Sequence, residues 1–177
     1  CVILIRNMNI YTDGSCHGNP GKGGWAFFCP ETGLEGWGAE DKTTNNRMEL
    51  TAIIHALQVP GVTVIITDSD YCQKGCTKWV HGWVKKGWKT ASGSAVKNDD
   101  LWKKVIELDP TRIEFRWVKA HAANEHNNYV DKLANNAVDT ICGPVTVADK
   151  RSNLEKELVV LEKRREAIIA ELADCHK

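Results

Sequence analysis

The run Val62-Thr63-Val64-Ile65-Ile66 restricts the fold of this chain more than any other segment. It reads as a short, continuously apolar strand of the kind buried on both faces. Pro60-Gly61 stops a helix just before it, and Thr67-Asp68 ends it, with a further helix expected from about Ser69. Such a strand needs cover on both sides, and the surrounding pattern supplies helices.

Residues 2–12 are rich in Val, Ile and Leu and run into a turn at Asp13-Gly14. Gly18-Asn19-Pro20-Gly21 is turn chemistry. Trp25-Ala26-Phe27-Phe28 and the stretch from Leu34 to Trp37 read as two more strands, joined by Pro30-Glu31-Thr32-Gly33. These first three strands predict an antiparallel meander. Asn45 or Asn46 is suited to cap a helix with Glu49 in its first turn. Residues 98–108 form another helical pattern, and Ile113 to Val118 alternates as a strand. From about 125 to 142, Val130, Leu133, Ala134, Ala137, Val138 and Ile141 fall on one helical stripe, ended by Gly143-Pro144. The order predicts an α/β fold: a mixed five-stranded sheet flanked by helices.

Two units are expected, a catalytic-type domain over 1–143 and an extension over 144–177. Val145 to Asp149 reads as a linker, and Ser152 with Glu155 makes a capping box. Leu154, Leu158, Leu161, Arg165, Ile168, Leu172 and Cys175 then alternate four- and three-residue steps. About three heptads suit either a packed amphipathic helix or a coiled coil, so a monomer and a homodimer both stay open. The chain opens on Cys1, which leaves an upstream start and Met8 both open. Cys-Val-Ile-Leu-Ile is too short for a signal peptide, and no apolar run approaches the roughly 20 residues of a membrane span.

The 23 basic and 23 acidic residues cancel, so any attraction to nucleic acid must be local. Seven cysteines without Cys-x-x-Cys spacing suggest reduced thiols and a cytoplasmic setting. Neither Cys16 with His17 nor Cys72 with Cys76 belongs to a four-ligand zinc pattern.

Four carboxylates stand out. Asp13 and Asp68 follow strands, whereas Glu49 and Asp131 sit on helices. Singly, each has an ordinary explanation as a turn former or a helix-dipole partner. Asp131 lies at the edge of a buried stripe, where an uncompensated charge is expensive. Brought together, the four would need cations to remain ionised, which is the chemistry of a divalent-metal site acting on phosphate.

Thr12-Asp13-Gly14-Ser15-Cys16-His17-Gly18-Asn19-Pro20-Gly21, Thr44-Asn45-Asn46-Arg47-Met48-Glu49-Leu50, Thr67-Asp68-Ser69 and His121…Asp131 closely resemble segments of type 1 ribonuclease H. So does Trp79…Trp83…Gly87-Trp88-Lys89-Thr90…Val96-Lys97-Asn98. The matches run in family order over about residues 8–142. The resemblance implies an endonuclease that cuts the RNA strand of an RNA–DNA hybrid, leaving 5′-phosphate and 3′-hydroxyl ends. Asp13, Glu49, Asp68 and Asp131 would hold two Mg²⁺ ions roughly 3.5–4 Å apart, for which Mn²⁺ can substitute. His121 would assist proton transfer or product departure from a loop, suited by an ordinary pKa of about 6.5. Ala120, Ala122 and Ala123 stand where the family often has glycine, which implies a stiffer loop. Asn127 matches a position near the attacking water.

Small polar groups beside the acids, Asn19, Asn45, Asn46 and Gln73, suit contacts to the hybrid, and the resemblance implies Asn45 and Cys16 near its minor groove and Thr44 near a DNA phosphate. Asn19 and Asn46 also have local explanations, as a turn residue and a helix cap. Asp70, where a neutral amide is common, is a departure expected to affect substrate binding or metal preference. Between Lys78 and Lys104, lysines interleave with Trp79, Trp83, Trp88 and Trp102. Trp83, Lys85, Lys86, Trp88 and Lys89 resemble the family's basic protrusion, a phosphate-binding ridge. Trp79 and Trp102 read as packing residues. A non-catalytic hybrid-binding module and an integrase-like nuclease are the competing readings.

Overall fold

In the computed structural model, which describes residues 8–120 and 124–141, β4 (Val62–Thr67) lies inside a five-stranded sheet. β1 (Met8–His17), β2 (Gly21–Cys29) and β3 (Leu34–Thr43) form an antiparallel meander. β4 pairs parallel with β1 on one side and with β5 (Glu114–Trp117) on the other, giving the order β3-β2-β1-β4-β5. Val62, Val64, Ile65, Ile66 and Thr67 are all buried, as a strand covered on both faces requires.

Side chains of β1 alternate between two cores. Ile10 joins the larger one, beneath α1 (Asn45–Leu57) and α4 (Asp99–Glu107), with Leu50, Ile53, Leu57, Leu101, Trp102 and Val105. Tyr11 packs against the smaller one, where Val130 and Ala134 of α5 (Glu125–Ile141) meet Ala26. The predicted α5 stripe is buried at Val130, Ala134, Ala137 and Val138, and half-buried at Leu133. Two glycines let the helices approach: a Cβ on Gly14 would lie 2.2 Å from the Glu49 nitrogen, and one on Gly24 2.2 Å from the Ala134 carbonyl oxygen.

Several boundaries differ from the sequence reading. β1 does not turn at Asp13-Gly14 but runs on to His17, because Ser15, Cys16 and His17 continue the ladder with β2. β3 likewise extends past Trp37 to Thr43. The cap of α1 is Thr44, not Asn45 or Asn46. Its extended backbone follows from the end of β3, and its carbonyl accepts from Arg47 and Met48 N–H. Glu49 therefore falls in the second turn rather than the first. Ser69 caps α2 (Asp70–Lys74) as expected, its hydroxyl accepting from Cys72 N–H at 3.4 Å. A π-helical turn over Gly75–Trp79 then leads into α3 (Val80–Lys85). His121, Ala122, Ala123 and the predicted helix of 152–175 lie outside the described residues.

Candidate metal centre

Three of the four acids converge. Asp13 from the middle of β1, Glu49 from α1 and Asp68 from the end of β4 present carboxylate oxygens that all lie within 4.8 Å of one another. Asp13 is 5% exposed and Glu49 4%. The short Gly14 contact brings α1 against β1 and so sets Glu49 beside Asp13. Parallel pairing of β1 and β4 places Thr12 opposite Thr67, which brings Asp13 and Asp68 to adjacent strand positions.

The electrostatics are severe. Burial, then the charges of Asp68 and Asp131, push the Asp13 carboxyl up from 3.8 to about 8. Burial, then Asp13 and Asp68, hold Glu49 well above the ordinary carboxylate range, while a hydrogen bond from the Asn45 side chain acts the other way. Glu49 Oε2 is buried without a hydrogen-bond partner. The ion pairs of Arg47, Lys74, Lys103 and Arg116 go to Asp100, Asp70, Asp99 and Glu114, and neutralise none of the cluster. A closely spaced, all-carboxylate, uncompensated set fits a hard divalent cation.

Asp131 adjoins the group rather than joining it. Its charge helps raise the Asp13 pKa, and its Oδ1 accepts from Asn135 Nδ2 at 3.0 Å. Asn127, 2% exposed, donates from Nδ2 to Asp68 Oδ2 at 3.0 Å. Asn127 Oδ1 is left buried and unpartnered. Asp70 takes no part: it is exposed at the start of α2 and pairs with Lys74 at 2.7 Å.

The expected substrate residues fall into two patches. At the first, Cys16 Sγ donates to the Thr43 carbonyl at 3.6 Å, and Asn19 Oδ1 accepts from Asn45 N–H at 3.3 Å. This ties the turn after β1 to the start of α1, gathering Cys16, Asn19, Thr44 and Asn45 beside Glu49, with Asn46 exposed next in the chain. Gln73 is half-buried on α2. The second patch is α3 and its following loop, where Lys85, Lys86 and Lys89 are exposed. Gly87 and Trp88 both adopt positive φ, which folds the chain back so that Trp88 N–H reaches the Trp83 carbonyl at 2.8 Å. Lys103 Nζ lies 5.4 Å over the Trp88 ring. Trp102 is fully buried and packs edge-on against Trp83 at 5.4 Å. Trp83 is half-buried against the core, and Trp79, 37% exposed, packs on Tyr71 and Trp83.

Three residues around the acids escaped the sequence reading. Trp117, 51% exposed, donates from Nε1 to the Asp68 carbonyl at 2.9 Å. Ser15 Oγ donates to Asn135 Oδ1 at 2.5 Å. Asn135 had a local signal, one helical turn after Asp131 on the same side of α5. Ser15 and Trp117 had none, since their partners are remote in sequence.

The sheet order, the two helical layers and the carboxylate cluster define a metal-dependent nuclease architecture. A family model described as RNase H matches residues 6–139. Proteins named ribonuclease H from Chromobacterium violaceum and Paracidovorax citrulli are 48% and 49% identical. The matches cover 76% and 78% of this chain and 96% and 99% of theirs. The crystal structure of LC9-RNase H1, a type 1 RNase H with the type 2 active-site motif, is 34% identical with a TM-score of 0.63, covering 75% of this chain and 72% of that one. The PFV RNase H domain, 22% identical over 76% of this chain and 95% of its own, shares the fold at a TM-score of 0.64. This chain belongs to the ribonuclease H family, endoribonucleases that hydrolyse the RNA strand of RNA–DNA hybrids.

Proposed function

We propose that this chain cleaves the RNA strand of RNA–DNA hybrids at the Asp13–Glu49–Asp68–Asp131 cluster with two Mg²⁺ ions, leaving 5′-phosphate and 3′-hydroxyl ends. The observation that carries this reading is the set of three carboxylates with oxygens within 4.8 Å, Asp13 and Glu49 buried and Asp68 half-buried, with no cation paired to them among the described residues. Bound there, Mg²⁺, or Mn²⁺ in its place, would supply Lewis-acid charge to an attacking water and to the scissile phosphate. The four acids would hold the cations, and the burial of Asp13 and Glu49 limits access of bulk water to them. Asn127 fixes the Asp68 carboxylate and keeps Oδ1 as a free acceptor, suited to orient a water proton. His121, by the family resemblance, exchanges a proton near neutral pH.

Cys16, Asn19, Thr44, Asn45, Asn46 and Gln73 fit backbone and 2′-hydroxyl contacts, which read shape rather than bases. Lys85, Lys86 and Lys89, beside Trp83 and Trp88, fit the phosphates of the second strand. No helix among the described residues is long and apolar enough to cross a membrane. The free thiols Cys16, Cys29, Cys72 and Cys76 support a reducing, cytoplasmic setting. The heptad spacing of residues 154–175 supports a monomer or a homodimer through that segment, and sedimentation with and without residues 150–177 separates them. The direct test incubates the full chain with labelled hybrid, duplex DNA and duplex RNA, with and without Mg²⁺. Cleavage confined to the RNA of the hybrid and dependent on Mg²⁺ is expected. Hybrid binding without cleavage would favour a non-catalytic module, and cleavage of duplex DNA an integrase-like nuclease.

A further inference from the structure

The fourth acid is held differently from the other three. Asp131 is near enough for its charge to raise the Asp13 pKa but stands outside the close group. Its Oδ1 accepts from Asn135 Nδ2 at 3.0 Å, and the same amide donates to the Asp131 carbonyl at 2.9 Å. Asn135 Oδ1 in turn accepts from Ser15 Oγ at 2.5 Å. With the hydroxyl donating to one end of the amide and the carboxylate accepting from the other, only one orientation of Asn135 satisfies the network.

The connections close on themselves. Ser15 lies two residues beyond Asp13 on the same face of β1, the face that meets α5. Asn135 lies one turn beyond Asp131 on α5. A neutral amide donor orients a carboxylate while leaving its negative charge for a cation, which an ammonium or guanidinium would partly neutralise. We infer that Asn135, oriented by Ser15, is a positioning residue that fixes the Asp131 carboxylate and sets the affinity of the acidic cluster for divalent cations. The inference rests on the reading of the four acids as a cation site.

The experiment titrates Mn²⁺ into the full chain without nucleic acid, following the free ion by electron paramagnetic resonance. Wild type is compared with Asn135→Ala, Asn135→Asp, Ser15→Ala, Ser15→Thr and Asp13→Asn. Asn135→Ala weakens cation binding by about 10–100-fold, the usual effect of removing a partner of a ligating side chain. Asn135→Asp, isosteric but unable to donate, is at least as damaging. Ser15→Ala weakens binding several-fold, and Ser15→Thr restores it. Ser15→Ala adds nothing in the Asn135→Ala background, because both act through one amide. In hybrid cleavage, Asn135→Ala loses kcat at limiting Mg²⁺, recovers it at high Mg²⁺, and keeps the KM for hybrid.

Wild-type cation affinity in folded Asn135→Ala and Asn135→Asp overturns the inference, as does strict additivity of the two single changes. If Asn135→Ala melts far below wild type without metal, Ser15→Ala, which deletes only a hydroxyl, carries the test, and wild-type affinity in it overturns the inference. Asp13→Asn is the control on the underlying reading. Wild-type affinity there sinks the cation site itself, whereas loss in Asp13→Asn with none in the Asn135 variants sinks the positioning role alone.

Discussion

The acidic cluster and the lysine–tryptophan segment after it solve opposite problems with opposite architecture. The acids come from two adjacent strands and two helices on different faces of the sheet, and their positions depend on close tertiary approach, as at Gly14 against Glu49. The lysines of α3 and its loop are contiguous in sequence and exposed, over a base of tryptophans packed on Trp102. One region concentrates like charge where solvent cannot relieve it. The other spreads like charge into water. Geometry therefore dominates the first, and each member of it should be indispensable. Summed long-range attraction dominates the second, so its members should be individually replaceable.

The sharpest way to break that contrast is Asp13→Asn, which is expected to abolish hybrid cleavage in a discontinuous assay while leaving hybrid binding in place. Residual cleavage near the wild-type rate would place the chemistry elsewhere. His121→Ala should slow single-turnover cleavage by about 10²–10⁴ if it acts as a general acid or base, with hybrid affinity unchanged. Trp102→Ala probes the base of the lysine segment. It should lower unfolding free energy by about 3–5 kcal/mol in urea melts, since the indole is wholly buried and its N–H donates to Tyr71.

Next in size is a pH effect that belongs to the acids alone. The Asp13 pKa is raised in the fold, so its contribution to stability is fully present below about pH 4 and is lost as pH rises toward about 8. Without divalent cations, Asp13→Asn should therefore raise Tm more at pH 8 than at pH 5, and Mg²⁺ should erase that advantage by stabilising the wild type. A pH-independent difference would mean that the cluster is not electrostatically crowded. The smallest effect is expected from Lys85→Ala with Lys86→Ala. KM should rise several-fold with kcat preserved, and the slope of log affinity against log salt should fall by about 1–2. An unchanged salt slope would show that these lysines do not meet the hybrid.

The same contrast explains what the sequence disclosed. The α5 stripe and the β4 run were legible because burial on one face or both leaves a periodicity in the letters. The four acids were legible through the long motifs that surround them, not through any property of a single carboxylate. The continuation of β1 through Gly14 to His17 was not legible. Gly-Ser-Cys-His lacks β-branched residues, and its strand conformation is imposed by the partner β2. The π-helical turn over Gly75–Trp79 was likewise not announced by any residue pattern. Ser15 and Trp117 were missed because hydrogen bonds across 120 or 49 residues leave no local trace, whereas Asn135 was missed despite its i,i+4 spacing from Asp131.

The convergence of the acids on a shared cation is tested most directly by an anomalous difference map from crystals of the full chain grown with Mn²⁺. The account predicts density enclosed by the carboxylates of Asp13, Glu49 and Asp68, with Asp131 turned toward it. Density bound elsewhere, with these side chains facing apart, would contradict it.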